Sequence, residues 1–281
     1  MRSQDKKPRS HLLRTRQGDC MKRSIGRWLH VAPLAIALGL SAGSATAADA
    51  LNKDADEIMR SMSKFLGGTK AFSVSADIGN EIITETGQKL QLNSSANLLV
   101  ERPNRFQANR QGGFADVLMN YDGAKLTVFG KVLNAYMQKD VTGTIDNAIR
   151  EIERGTGLVM PGADLLLSDS HAALTGGATS SGYYGTGYIG GVEVHHLGFR
   201  TPEVDLQMWV KTGDEPLPVK YVITTKWLAG APQYSVQLSN WNLKPSIAAN
   251  RFSFVPPANA AKLEVLPVDE TGELAVKKES K

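Results

Sequence analysis

Two adjacent histidines, His195 and His196, are the side chains of this 281-residue sequence that most suggest metal binding. Histidine is a common zinc ligand, and a zinc site needs three or four protein ligands. The flanking residues alternate as in a strand, so we expect the two rings to point to opposite faces of a sheet. Beyond residue 47 only His171 is a further histidine, and the single cysteine is Cys20. We therefore predict no metal site.

Three glycines, Gly185, Gly187 and Gly190, match the letters of the G-x-G-x-x-G fingerprint of dinucleotide-binding proteins. That fingerprint requires a following helix, whose N-terminus binds the pyrophosphate. Here residues 191–194 alternate as a strand does. We interpret the glycines as a hairpin turn with a bulge and predict no cofactor.

Asp164 and Asp169 are the best isolated carboxylates for acid–base chemistry. They lie five residues apart in a segment with helical pattern, so they are expected to face different directions. The sequence contains no G-x-S-x-G, H-E-x-x-H or P-loop motif. We predict no enzyme and no catalytic residue. A hydrolase with a scattered site stays an alternative, and it would need a cleft that joins His171 or His195 to Asp164.

The N-terminal 47 residues have the three parts of a secretory signal peptide, with a leader before them. An apolar run covers residues 31–40, and Ala45 and Ala47 occupy the −3 and −1 positions of a cleavage site. The start is Met1 or Met21. The basic residues before the apolar run are Lys22, Arg23 and Arg27. We predict a periplasmic protein cleaved near Ala47, with no membrane span after cleavage, because a span needs about 20 apolar residues.

The basic character of the whole sequence comes from this leader. Nine of the 32 basic residues and two of the 28 acidic residues precede position 48, which leaves a net charge of −3 for the rest. No basic surplus remains to neutralise phosphates, so nucleic acid is not a predicted partner. We expect one domain over residues 48–265 and a disordered charged tail over residues 266–281.

The period of the apolar residues changes along the predicted domain. Residues 51–66 and a segment from Thr144 to Gly155 have helical spacing, and a shorter helix is expected to start at Pro161. The other segments alternate as strands do, with Asp122-Gly123 as a hairpin turn. The predicted strands include 72–78, 96–100, 115–121, 126–128, 192–194, 206–210, 219–227, 234–238 and 252–254.

This order predicts an α+β, β-dominated fold. Many short strands without intervening helices indicate an antiparallel sheet, and twist curls so wide a sheet into an incomplete barrel. The helices must bury their apolar stripes, and we expect them to cover the concave face.

Several segments resemble known periplasmic families. The run 102–106, RPNRF, followed by Tyr121-Asp122-Gly123, resembles the RP-x-[KR]-[FL] … DG signature of periplasmic lipoprotein carriers. The chain from about Ala50 to Val265 resembles an uncharacterised family of predicted periplasmic proteins. The segments that carry this second resemblance are 161–166, 191–197, 205–210, 216–220 and 252–257.

The wider resemblance implies the fold of the LolA/LolB/LppX group, an incomplete antiparallel half-barrel with helices over an apolar concave face. Members of that group carry acyl chains of lipoproteins or lipids, and some relatives sense lipoproteins. The implied ligand is a lipid, a lipidated protein or another apolar molecule. An envelope sensor or protein-interaction module without lipid transport is the alternative, with an envelope protein as its partner.

Alternation and helical spacing also give candidate residues for such a cavity. Arg102 and Arg105 are candidates for a latch, in which a guanidinium bonds helix or loop carbonyls and keeps a lid shut; strand-end charges in solvent are the competing interpretation. The candidate lining residues are Val74, Val117, Met119, Leu126, Met208 and Val210 on strands, and Met59, Met62, Ile149 and Leu166 on helices.

Overall fold

A computed structural model of the protein describes residues 51–112, 116–156, 158, 160, 162–268 and 274. The predicted signal peptide, residues 1–47, lies outside the described residues, as does most of the predicted tail.

The first helix, α1, covers Lys53–Gly68. The Asn52 side chain accepts a hydrogen bond from the Ala55 amide at 2.9 Å and so caps the N-terminus. The apolar side chains recur every three or four residues, so one face of the helix is buried. The buried apolar residues are Ala55, Met59, Met62 and Leu66.

Strands dominate the rest of the described chain, in agreement with the change of period to two. They are β1 (Ala71–Ile83), β2 (Lys89–Glu101), β3 (Arg105–Gly112), β4 (Val117–Tyr121), β5 (Lys125–Gly130), β6 (Ala135–Asp140), β7 (Ser180–Ile189), β8 (Val192–Arg200), β9 (Val204–Lys211), β10 (Pro218–Thr225), β11 (Gln233–Asn242) and β12 (Ala261–Lys262).

These strands form one sheet in the order β12-β6-β5-β4-β3-β2-β1-β11-β10-β9-β8-β7. All neighbours are antiparallel except β12, which pairs with β6 in parallel. The strands β12 and β7 are the two edges, so the sheet does not close on itself. The predicted β-dominated fold with an incomplete antiparallel barrel is confirmed.

Three short elements lie between β6 and β7. Helix α2 covers Ile145–Thr156, a 3₁₀ helix covers Ala163–Leu166, and α3 covers Ser170–Thr175. Together with α1 they contribute to the same hydrophobic core as the inner face of the sheet. Within the described part of the chain, no helix combines the length and the apolar character needed to cross a membrane.

The predicted strand at residues 252–254 is wrong. The segment instead crosses the outer face of β4 to β6, where the Phe254 ring packs against Phe129 and Tyr136, with centroids 5.8 and 5.4 Å away. The Asn120 side-chain amide donates to the Phe252 carbonyl. Phe129 offers an apolar position on that outer face, so the two phenylalanines pack onto the sheet and do not join its edge.

Packing also continues past the predicted domain end at residue 265. Leu266 is only 1% exposed, and Val268 and Leu274 pack against the core and form an isolated bridge. These apolar residues explain the extension, since burying each one is favourable. Residues 269–273 and 275–281 of the predicted tail lie outside the described residues.

Candidate functional site

An apolar cavity of about 140 Å³ lies between the inner face of the sheet and the elements that connect β6 to β7. Its floor comes from β1 to β4, β10 and β11, and its roof from α1, α2 and the 3₁₀ helix. Residues that line the floor include Val74, Leu98, Ala108, Met119, Tyr221 and Val236.

The cavity exists because three inward positions on adjacent strands are alanines. Ala76 of β1 pairs directly with Ala96 of β2, and Ala108 of β3 pairs with Leu98, the next inward residue of β2. All three alanines line the cavity. An alanine fills much less volume than a leucine or valine, and a tightly packed interior forms a void where small side chains meet.

The shortest element of this roof is the 3₁₀ helix. The 3₁₀ helix has only four residues, and Ala163, Leu165 and Leu166 face the cavity. Gly162 precedes it with φ 92°, a left-handed conformation that favours glycine. A Cβ atom at this position would collide with the Tyr221 hydroxyl, so the close approach of the roof to β10 also requires a glycine.

One arginine ties the roof to the sheet. The Arg102 Nη1 donates to the Leu166 carbonyl at 2.9 Å, as a latch residue would. Burial lowers the pKa of the Arg102 guanidinium, and the nearby Asp146 carboxylate opposes this shift. Asp146 also accepts hydrogen bonds from the Ser168 hydroxyl at 2.7 Å and the Ser168 amide at 3.1 Å. These bonds hold the segment after the 3₁₀ helix against α2.

The second predicted latch residue, Arg105, makes different contacts. Its Nη2 pairs with Glu101 Oε1 at 2.6 Å, and its guanidinium lies 5.4 Å from the centroid of the Phe252 ring. Both groups lie on the outer side of β3 with Arg105. Its contacts therefore match the competing interpretation as a strand-end charge.

Two ionisable groups lie where the roof meets β10. Burial raises the pKa of the Asp164 carboxyl on the 3₁₀ helix. Burial also raises the pKa of the Tyr221 hydroxyl well above its ordinary value, and Tyr234 and Asp164 add smaller effects. An uncharged Asp164 is thus favoured in the closed structure more than in water.

The structure separates the ten predicted lining residues into two groups. Val74, Met119, Ile149 and Leu166 line the cavity. The other six lie in the hydrophobic core away from it: Met59, Met62, Val117, Leu126, Met208 and Val210. Alternation identifies the inward face of a strand, but it does not tell which inward positions border a void. The alanines were among the lining residues that were not predicted, and their small size was the available signal.

The adjacent histidines are held by different partners. Tyr183 hydroxyl and His195 Nδ1 are 3.1 Å apart, while His196 Nε2 lies 3.0 Å from Gln207 Oε1. The His196 ring stacks on Trp209 at 4.4 Å between centroids. In the described residues, no group of three His, Cys, Asp or Glu side chains is arranged to hold a metal ion.

His171 does not form the cleft that the hydrolase alternative needs. Its Nε2 lies 2.6 Å from Asp56 Oδ1 and 3.4 Å from Thr175 Oγ1. A catalytic triad uses opposite ring nitrogens for the carboxylate and the nucleophile, whereas here one nitrogen meets both. The contacts of His171 tie α3 to α1, and they give the hydrolase alternative no support.

A comparison with protein families decides the assignment. Residues 55–266 match the family described as predicted periplasmic protein (DUF2092). The chain belongs to the DUF2092 family. The predicted resemblance to an uncharacterised periplasmic family is therefore confirmed. The DUF2092 match contains all the residues that line the cavity.

Several solved structures are similar in fold to this DUF2092 chain. An uncharacterised conserved protein from Thermus thermophilus has a TM-score of 0.46 and 8% identity, over 75% of this chain and 99% of its own. A LolA superfamily protein from Nitrosomonas europaea has a TM-score of 0.36 and 12% identity, over 71% and 97%.

The lipoprotein LppX from Mycobacterium tuberculosis has a TM-score of 0.35 and 11% identity, over 69% of the DUF2092 chain and 98% of its own. Likenesses this weak do not establish a shared ligand. No curated protein matches the chain in sequence.

Proposed function

We propose that this DUF2092 protein binds an apolar ligand, such as the acyl chain of a lipid or a lipidated protein, in its half-barrel cavity and acts in the periplasm without catalysis. The observation that carries the proposal is the apolar cavity between the alanines of the sheet and the 3₁₀ helix. The export signal that the first 47 residues predict belongs to the same proposal.

The size of the cavity requires the roof to move. A void of about 150 Å³ accommodates a molecule such as benzene, and sites for larger ligands have about 300–1,000 Å³. The cavity here has about 140 Å³, so a long acyl chain needs more room than this arrangement of the roof provides. In this proposal, the four-residue 3₁₀ helix is the part of the roof that lifts.

The energies favour opening when a ligand is present. Burying an acyl chain is worth about 0.8 kcal/mol per methylene, or about 10 kcal/mol for one long chain. A hydrogen bond to a charged group, such as that from Arg102 to the Leu166 carbonyl, contributes only about 1.5–3 kcal/mol. The burial energy of the chain therefore exceeds the cost of breaking this hydrogen bond.

Two tryptophan substitutions at neighbouring positions test this proposal. Leu98 lines the cavity, whereas Leu99 is on the opposite face of β2. We expect Leu98→Trp to fill the cavity and lose binding of a neutral naphthylamine dye and of palmitate, both measured by fluorescence. Leu99→Trp should bind as the unchanged protein does, because its side chain points away from the cavity.

Native mass spectrometry of protein purified from its own envelope fraction supplies an independent measurement. We expect a lipid adduct that the Leu98→Trp variant lacks. If the unchanged protein shows only its own mass and binds neither the dye nor palmitate, the proposal is wrong. Capture of one envelope protein by a lipid-free sample would instead favour the interaction module.

A further inference from the structure

Trp241 borders two spaces, the apolar cavity and a groove that opens to solvent. Its indole and the Leu238 side chain line both of them. The groove has about 620 Å³ and lies at one end of the sheet, where the β7–β8 connection, the β9–β10 connection and the end of β11 meet. The half-buried indole is therefore part of the wall that separates the cavity from the groove.

A bulge in β11 gives Trp241 this position. Val236 and Leu238 line the cavity, so alternation alone would place Asn240 next on the inner face. In the pairing of β11 with β1, however, Asn240 and Trp241 together lie opposite the single Val74. Asn240 has φ 54°, and the extra residue moves Trp241 to the inner face in its place.

The Trp241 indole lies just beyond the last paired residues of β10 and β11 at this end, which are Lys220 and Gln237. Its Nε1 donates to the Pro218 carbonyl at 3.1 Å, and its ring centroid is 5.4 Å from that of Phe72. A side chain, and not the backbone ladder, thus joins the two strands here. When the indole turns aside, one neutral hydrogen bond breaks and the strand pairing stays intact.

The groove is apolar beside the indole and polar at its rim. Leu217, Val219 and Leu243 supply apolar surface to it. At the rim, the Lys211 Nζ lies 3.0 Å from the Glu215 Oε2. A polar headgroup is costly to bury without partners, so the rim suits the polar end of an amphiphile better than the apolar cavity does.

We propose that the groove is a second part of the ligand site. The chain of a long-chain amphiphile runs from the cavity past a displaced Trp241 indole into the groove, and its polar end lies at the rim. This inference rests on the proposed function, and it adds the path of the ligand and the residue that the ligand displaces. The groove by itself has a volume within the range of ligand sites, about 300–1,000 Å³.

The fluorescence of a single tryptophan tests this path. In the full chain, Trp28→Phe, Trp209→Phe and Trp227→Phe leave Trp241 as the only tryptophan. The probes are three hexadecanoates that carry bromine, which quenches indole fluorescence at contact, beside the carboxylate, in the middle of the chain or at the methyl end. We expect the mid-chain bromine to quench most strongly, because the chain passes the indole with both ends beyond it.

A matched variant keeps Trp209 as the only tryptophan, through Trp28→Phe, Trp227→Phe and Trp241→Phe. The Trp209 ring stacks on His196 on the outer face of the sheet. Its fluorescence should not change with any of the three acids. Displacement of the neutral dye shows in each variant that the acids bind.

Filling the groove is an independent test. Val192 lines the groove and is 37% exposed, so Val192→Trp places an indole there without disturbing a buried position. We expect palmitate to bind this variant about tenfold more weakly, because the part of the chain in the groove loses its burial. Val132→Trp is the matched control, since Val132 is 66% exposed and lies between β5 and β6. It should bind palmitate as the unchanged protein does.

The outcomes separate this inference from the proposed function. If the acids displace the dye but an end-labelled acid quenches Trp241 most strongly, or none of them quenches it, the chain does not pass the indole. That result overturns the inference and leaves apolar binding in place. Equal palmitate affinity of Val192→Trp and Val132→Trp also contradicts the groove as part of the site. Failure of both the dye and the acids to bind overturns the inference and the proposed function together.

Discussion

Helices cover two regions of the same sheet, but they fill the space above only one of them. In the packed half, the inner face of β7 to β9 contacts the sixteen-residue α1, and Met59, Met62 and Met208 are fully buried. In the hollow half, β1 to β3 carry Ala76, Ala96 and Ala108 beneath a four-residue 3₁₀ helix, and a cavity remains. Both halves show the same alternation. Side-chain volume and the length of the covering helix make the difference.

This comparison shows where the proposed ligand would bind within an otherwise ordinary core. A long helix with methionines fills an irregular surface well, because methionine is unbranched and adaptable. Alanines under a short helix leave part of the space between sheet and helix unfilled. A ligand that occupied this space would gain the burial energy that the side chains do not supply. The predictions that follow compare the two halves directly.

The largest expected difference comes from removing side chains. Met208→Ala in the packed half should lower the free energy of unfolding by about 2–5 kcal/mol, because it opens a new cavity in a close-packed site. Met119→Ala in the hollow half should cost about 1 kcal/mol, since Met119 is partly exposed and borders an existing space. Urea unfolding measures both. Equal losses would contradict the division into two halves.

Enlarging a side chain should destabilise the packed half but not the hollow half. Ala55→Leu on α1 should destabilise the protein by about 1–3 kcal/mol through overpacking. Ala108→Leu should be neutral or stabilising by up to about 2 kcal/mol, because three added carbons fill part of the cavity. The same variant should weaken dye binding. A large destabilisation by Ala108→Leu would show that the hollow half has no room.

The proposed latch residue, Arg102, should affect the kinetics of ligand release more than stability. Arg102→Met removes the hydrogen bond to the Leu166 carbonyl and also a partly buried charge, so its effects on stability oppose each other. We expect the dye to dissociate about tenfold faster, a change of about 1.4 kcal/mol in the barrier. Stopped-flow dilution measures the rate. Arg105→Met is the control, and the dye should leave this variant at the rate of the unchanged protein. If the dye leaves Arg102→Met at that same rate, Arg102 is not a latch.

The smallest effect concerns Asp164 and depends on pH. Its folded-state pKa is raised by burial, so its ionised form destabilises the closed roof. The protein should lose stability as the pH rises from the ordinary aspartate pKa of 3.8 through the raised folded value. Asp164→Asn should therefore raise the Tm at neutral pH and have little effect below pH 3.8. An equal gain at both pH values would assign the effect to packing.

Much of the fold could be predicted because local patterns agree with it. The helical spacing of Ile145, Ala148 and Ile149 and the alternation of Leu206, Met208 and Val210 both correspond to elements of the structure. The strand β3 was not predicted, since RFQANRQG places arginines and polar residues at most positions. That omission also concealed Arg110, the one charged lining residue of the described cavity.

The sequence by itself determined the class of fold, the inward face of most strands and the family. Only the tertiary structure decided where the cavity lies. Ala76, Ala96 and Ala108 are far apart along the chain, and the strand register brings them together. Whether an inward residue is packed or borders a void depends on the volumes of neighbours from other strands and helices. Periodicity within one segment contains no information on those volumes.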